Sequence, residues 1–101
     1  MMDKKLKTRW IKALRSGKYP QATNGLRTET GYCCLGVLCD LIDPSKWNDL
    51  RYDGRGAYVP GSTRELIGLS DADENKLAAM NDNERKSFEQ IAAYIEKRKT
   101  L

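Results

Sequence analysis

The chain has 101 residues, 32% charged and 40% hydrophobic, with a formal net charge of +4 and no histidine. That length supports a single domain around one core, residues 1–101, and that composition excludes a disordered chain. Without histidine, the commonest general base, the usual partner of a Ser or Cys nucleophile and a frequent metal ligand are all missing. Non-catalytic binding is therefore the expected role, with no cofactor and no metal.

The charge is uneven. Residues 1–20 hold seven Lys or Arg against Asp3 alone, a net of +6, whereas residues 62–82 hold two basic and five acidic side chains, a net of −3. The basic start runs into an amphipathic pattern rather than an apolar stretch, so no secretion signal is read there. The apolar run from Tyr32 to Cys39 is too short to span a bilayer. A cytosolic location follows as the expectation, with the three cysteines reduced.

Asp3 to Ser16 reads as a helix with Leu6, Trp10, Ala13 and Leu14 inward and Gly17 as the stop just past its end. Lys5, Arg9 and Lys12 line one flank with almost no acidic partner in the same helix, a candidate anion-binding row as well as an ordinary solvated face. Next, Asn24-Gly25 between two β-prone pieces predicts a type I′ hairpin, with Pro20 at its edge. Gln21, Thr23, Arg27 and Thr28 would offer donors there to a phosphate or carboxylate, or to solvent.

The longest apolar run, Gly31 to Asp43, carries all the cysteines. Leu35, Leu38, Cys39 and Ile42 recur at helical spacing with Tyr32 one turn earlier, predicting a buried central helix from Tyr32 to Ile42. Cys33-Cys34 with Cys39 lacks the paired C-x-x-C spacing and fourth ligand of structural zinc. Near a helix start, Cys33 or Cys34 is expected to be the one candidate for a lowered thiol pKa.

Pro44 pushes Asp43 out of helical geometry and ends that helix. A second small β pair is expected between Leu50–Tyr52 and Ala57–Val59. Trp47, Arg51, Tyr52, Arg55 and Tyr58 interleave rings and cations as a stacking platform for bases would, although Trp47 and Tyr58 equally suit the edge of a core. Gly54-Arg55-Gly56 lacks the strand and helix context of a nucleotide fingerprint.

The final third is helical. Ser62 to Glu65 has capping-box spacing, Gly68 ends a short helix, and Asp71 to Met80 forms another with Leu77 and Met80 inward. Asn81-Asp82-Asn83 is expected to break it. Asp71, Asp73 and Glu74 are assigned to the helix dipole and cap. Ser87 and Gln90 repeat the capping box ahead of a Phe88, Ile91, Ala92, Ile95 stripe, and Lys97, Arg98 and Lys99 suit the C-terminal dipole. The fold class is α+β: a mostly helical single domain with a small antiparallel sheet packed on the central buried helix.

Trp10 with Ala13-Leu14, Gly31 with Cys33-Cys34-Leu35-Gly36-Val37-Leu38-Cys39-Asp40-Leu41, Val59-Pro60, Leu77 with Asn81-Asp82, and Ser87-Phe88 with Ile91-Ala92 together resemble a family of small phage- and prophage-encoded hypothetical proteins. The resemblance runs over nearly the whole chain. It implies a phage origin and an accessory role in the infected bacterial host's cytoplasm, and it carries over no catalytic residue. With the missing chemistry, it points to an inhibitor that binds a bacterial defence protein, for example a CRISPR-type effector. The net positive charge argues against DNA mimicry. Two alternatives stand beside it: a sponge holding a signalling nucleotide between the first helix, Arg27 and the Arg51, Tyr52, Arg55, Tyr58 segment, and direct nucleic-acid binding through Lys5, Arg9 and Lys12. Self-association is left open.

Overall fold

A computed structural model describes residues 2–99 and 101. The first helix, α1 (Lys4–Arg15), is capped by Asp3, whose carboxylate accepts from the Leu6 amide at 2.9 Å, and Gly17 follows it at φ +77°. Trp10 and Leu14 are buried, and the Trp10 indole N–H donates to the Cys34 carbonyl at 2.9 Å. This bond fixes α1 against α2 (Cys34–Ile42) in a place where an unpaired indole would cost free energy.

The central helix α2 is buried from Cys34 through Cys39, with Cys33 as its N-cap and the Cys33 thiol accepting from the Gly36 amide at 3.4 Å. Tyr32, expected one turn inside this helix, instead belongs to a strand. Its N–H donates to the Pro20 carbonyl and its C=O accepts from the Ala22 amide, both at 2.8 Å, so its backbone is committed to the preceding loop. Two glycines make this approach possible. A Cβ on Gly36 would lie 1.7 Å from the Leu26 carbonyl oxygen, and one on Gly31 would lie 2.2 Å from that of Pro20.

Both expected hairpins form at other places. Strands β1 (Arg27–Thr28) and β2 (Gly31–Tyr32) pair antiparallel around Glu29-Thr30, not around Asn24-Gly25. Asn24 does adopt a left-handed φ of +64°, but its amide donates to Asp82 and the Leu26 amide to Gly56, so long-range partners claim the loop that a local hairpin would have used. After the 3₁₀ turn Pro44–Lys46, β3 (Trp47–Asn48) pairs with β4 (Arg51–Tyr52), the turn being entered through Asp49 at φ +55°. Ala57–Val59 is not a strand, because the Val59 amide is taken by the Glu74 carboxylate at 2.8 Å.

Helix α3 (Gly61–Ile67) starts after Pro60 without a side-chain cap, so the Ser62 capping box does not form; Gly68 ends the helix at φ +76° as expected. Helix α4 (Asp71–Asp82) is capped by Ser70 and runs two residues beyond Met80. Helix α5 (Phe88–Lys97) has the full reciprocal cap between Ser87 and Gln90, and Phe88, Ile91, Ala92 and Ile95 are all buried, mainly against α1. Exposed pairs from Arg15 to Glu89 and Glu96 decorate that contact and add little to it.

Asn81, expected to break α4, is fully buried and ties α4 to α2 and to the loop holding Gln21 and Ala22. Its carbonyl oxygen accepts from the Gln21 side chain at 2.9 Å and from the Cys34 amide at 3.3 Å. Its amide nitrogen donates to the Ala22 carbonyl and to Asp82, both at 2.8 Å. Gln21 continues the network to the Lys86 carbonyl and the Phe88 amide. Among the described residues the chain is thus an α+β domain, five helices with two two-stranded antiparallel sheets around α2, and none of its helices is long and apolar enough to cross a membrane.

Candidate functional site

The two hairpins place an aromatic chain on the outer side of α2. Tyr19 meets Tyr32 edge-on at 5.1 Å between ring centroids, Tyr32 meets Trp47 at 6.1 Å, and Trp47 meets Tyr52 at 5.1 Å. Asp40 of α2 anchors two of these rings, accepting from the Tyr19 hydroxyl at 2.6 Å and from the Trp47 indole at 3.1 Å. Burial first, and then this bond to Asp40, push the Tyr19 phenol up to about 12. The register that sets Arg27 opposite Tyr32 also brings its guanidinium over Trp47, 4.6 Å from the ring centroid. Such a contact contributes about 0.5–1 kcal/mol at a half-exposed site.

Beside Tyr19, Arg9, Lys12 and Lys18 line a cleft of about 370 Å³ whose far wall is Leu41, and Arg9 donates to the Leu41 carbonyl at 3.4 Å. Among the described residues no carboxylate lies within 4.0 Å of Arg9, Lys12, Lys18 or Arg27. Four cations without an ion-pair partner therefore flank a rigid row of rings, and the Asp40 carboxylate sits within that row, bonded to Tyr19 and Trp47. This contrasts with Arg15, Arg64 and Arg98, each of which is paired. The arrangement can hold an anionic surface by charge and offer ring edges for packing, at low ordering cost because the rings are already fixed.

Arg55 and Tyr58 go elsewhere. They line a second cleft of about 400 Å³ with Arg64, Asp71, Glu74 and Asn75. Glu74, read in the sequence as part of a helix cap, is almost fully buried; its carboxylate accepts from the Val59 amide at 2.8 Å and faces the Arg64 Nε at 3.4 Å. Burial raises its pKa, opposed by the Val59 bond and by Arg64.

The expected single platform is thus split. Arg9 and Lys12 share one cleft, Arg27 and Trp47 stack beside it, and Arg55 and Tyr58 belong to the other. Lys5 and Arg51 are exposed and line neither cleft. Tyr52 is excluded as a contact residue because it is fully buried, packed under Trp47. Sequence reasoning missed Lys18, Tyr19 and Asp40. The clue was their position, directly after the Gly17 stop and at the first charge in the apolar run.

The thiols are also corrected. Cys33, Cys34 and Cys39 are unpaired and buried, and burial pushes Cys33 up to about 11 and raises Cys34 and Cys39 as well, opposite to the activated thiol expected near a helix start. The Cys33 sulfur does accept an amide hydrogen bond, but desolvation of the thiolate outweighs it. With Tyr19 and Tyr52 also pushed up to about 12, the folded state holds protons that the unfolded chain releases from about pH 9 upward. The stability associated with these groups is fully present below pH 9 and is lost as pH rises through the folded-state values. Urea midpoints should be level between pH 7 and 8.5 and fall steadily from pH 9 to 11; a midpoint that holds or rises over that range contradicts the burial of these groups.

The fold and its exposed groups define a small α+β domain with a cation and ring face and no group of three or more His, Cys, Asp or Glu, among the described residues, arranged to hold a metal ion. The chain belongs to the family described as Domain of unknown function (DUF8296), whose model matches residues 2–59. That span runs from α1 through β4 and contains the whole of the Arg9, Lys12, Lys18, Arg27 and Trp47 face, whereas Arg64, Asp71 and Glu74 of the second cleft lie beyond it. No curated protein and no solved structure matches the chain.

Proposed function

We propose that this chain is a non-catalytic, phage-type accessory protein that blocks a bacterial immune effector, such as a CRISPR-type complex, by covering an acidic surface of that effector. The observation carrying this reading is the set of four cations, Arg9, Lys12, Lys18 and Arg27, left without carboxylate partners around the fixed Tyr19, Tyr32 and Trp47 rings. Trp, Tyr and Arg are the residues that dominate protein interfaces, and rings already locked by Asp40 lose little freedom on docking. The reading takes its phage setting, and with it action in the host cytoplasm, from the resemblance carried by the Gly31 to Leu41 segment.

Interferometry against purified effector complexes, paired with their target-cleavage assays, tests the reading. The chain should bind one effector and stop its cleavage. Arg9→Glu with Lys12→Glu, both exposed and therefore compatible with folding, should weaken binding by about 100-fold, because facing like charges costs several kcal/mol. An unaffected double variant, or absence of any effector binding, overturns the proposal. Binding instead to DNA or RNA, with an affinity that falls steeply with salt, would replace the protein partner by a nucleic acid.

A further inference from the structure

We propose that the second cleft, between the segment after β4 and helices α3 and α4, is a binding site for a small nucleoside phosphate. At about 400 Å³ the cleft falls in the size range of small-ligand sites. Its wall supplies the three things such a ligand needs. Tyr58 leaves 52% of its surface exposed at the rim, one of the few large hydrophobic side chains so displayed, and can stack on a base. Arg55, on the same wall, has no carboxylate within 4.0 Å among the described residues and is available for a phosphate. Asp71 keeps a 75% exposed carboxylate that can accept from a base amino group or a ribose hydroxyl.

Arg64 forms the deeper wall. Its guanidinium lies 3.4 Å from both Asp71 and Glu74, and its buried Nε makes no hydrogen bond of good geometry. A fork that is paired so loosely retains donors for a phosphate oxygen. Glu74 is a positioning residue: its side chain is 3% exposed, and it ties Arg64 to the Val59 backbone without reaching the ligand. The cleft's two cations and two carboxylates balance, so a bare anion gains little by entering. A ligand that joins an anion to a ring and to hydrogen-bond donors uses every wall, and this favours a nucleotide over inorganic phosphate.

The site shares no residue with the Arg9 and Lys12 face and does not depend on that face's proposed partner. Isothermal titration against 5′-AMP, 5′-GMP, 3′,5′-cyclic AMP, ADP-ribose and inorganic phosphate tests it. At least one nucleotide should bind with sub-millimolar affinity, with phosphate at least tenfold weaker. Tyr58→Ala and Arg55→Ala, both at exposed positions, should each weaken that nucleotide at least tenfold, while Arg9→Glu with Lys12→Glu should bind it like the parent chain. Silence across the panel, equal affinity for phosphate, or indifference to both cleft substitutions overturns the assignment.

Discussion

Gly36→Ala is expected to lower the melting temperature by roughly 12–24 °C, from a clash of about 3 kcal/mol at 4–8 °C per kcal/mol for a domain of this size. Helix propensity alone argues the other way. Gly36 sits inside α2, where alanine is favoured over glycine by about 1 kcal/mol. The added Cβ, however, would fall 1.7 Å from the carbonyl oxygen of Leu26, a backbone atom and not the tip of a flexible side chain. That same oxygen accepts from the Cys33 amide at 3.1 Å, so moving it away also breaks the junction at which α2 begins. Overpacking therefore outweighs propensity. Gly56→Ala serves as the control, since a Cβ there meets nothing within 4 Å, and its melting temperature should stay close to that of the parent. If thermal unfolding followed by circular dichroism finds Gly36→Ala as stable as Gly56→Ala, the close approach of α2 to the Leu26 strand entry is wrong.

Asn81→Leu should cost about 3–5 kcal/mol in urea unfolding, among the largest single-residue losses a chain of this size shows. The hydrophobic gain from a buried leucine is real but smaller than what is left behind. The Cys34 amide loses its partner in a buried site and the Ala22 carbonyl loses one in a part-buried site, while the exposed Gln21 side chain keeps its bond to the Lys86 carbonyl. A stranded buried polar group costs about 1–3 kcal/mol, so even two of them exceed the gain. Asn81→Asp separates hydrogen bonding from shape: it keeps the acceptor for Gln21 and Cys34 but turns an acceptor toward the Ala22 carbonyl and adds charge beside Asp82. It too should be strongly destabilised. A loss under 1 kcal/mol for Asn81→Leu would mean that the polar junction does not hold the 19–25 loop to α4 and α5.

These two residues also mark the boundary between what local pattern reveals and what it hides. The amphipathic helices were legible because their signal is a repeat within one segment. Leu6, Trp10 and Leu14, or Phe88, Ile91 and Ile95, declare a face without reference to anything else. Caps with a nearby partner were legible on the same ground at Ser87 and Gln90, and failed at Ser62, where Pro60 already fixes the entry to the helix. Asn24-Gly25 failed as a hairpin although Asn24 does take the left-handed backbone that the signal implies, because Asp82 and Gly56 compete for the loop's amides from far along the chain.

The binding residues divide along the same line. That residues 1–20 are strongly basic is a property of the sequence, and so is the clustering of rings and arginines between Trp47 and Tyr58. Which of them face one another is not. Tyr52 and Trp47 look equivalent in the sequence, yet the β3–β4 register buries one beneath the other, and a guanidinium from a different hairpin covers the ring left outside. From its sequence alone this protein was fixed as a single, mostly helical α+β domain with a buried cysteine helix and an excess of cations at its start. Only tertiary structure decided that burial raises the pKa of the thiols, that Asn81 is a junction and that Arg9 and Lys12 line a different cleft from Arg55 and Tyr58. The reason is physical: periodicity encodes how each segment divides between core and solvent, whereas desolvation, hydrogen-bond partnership and charge neutralisation depend on atoms brought together from distant parts of the chain.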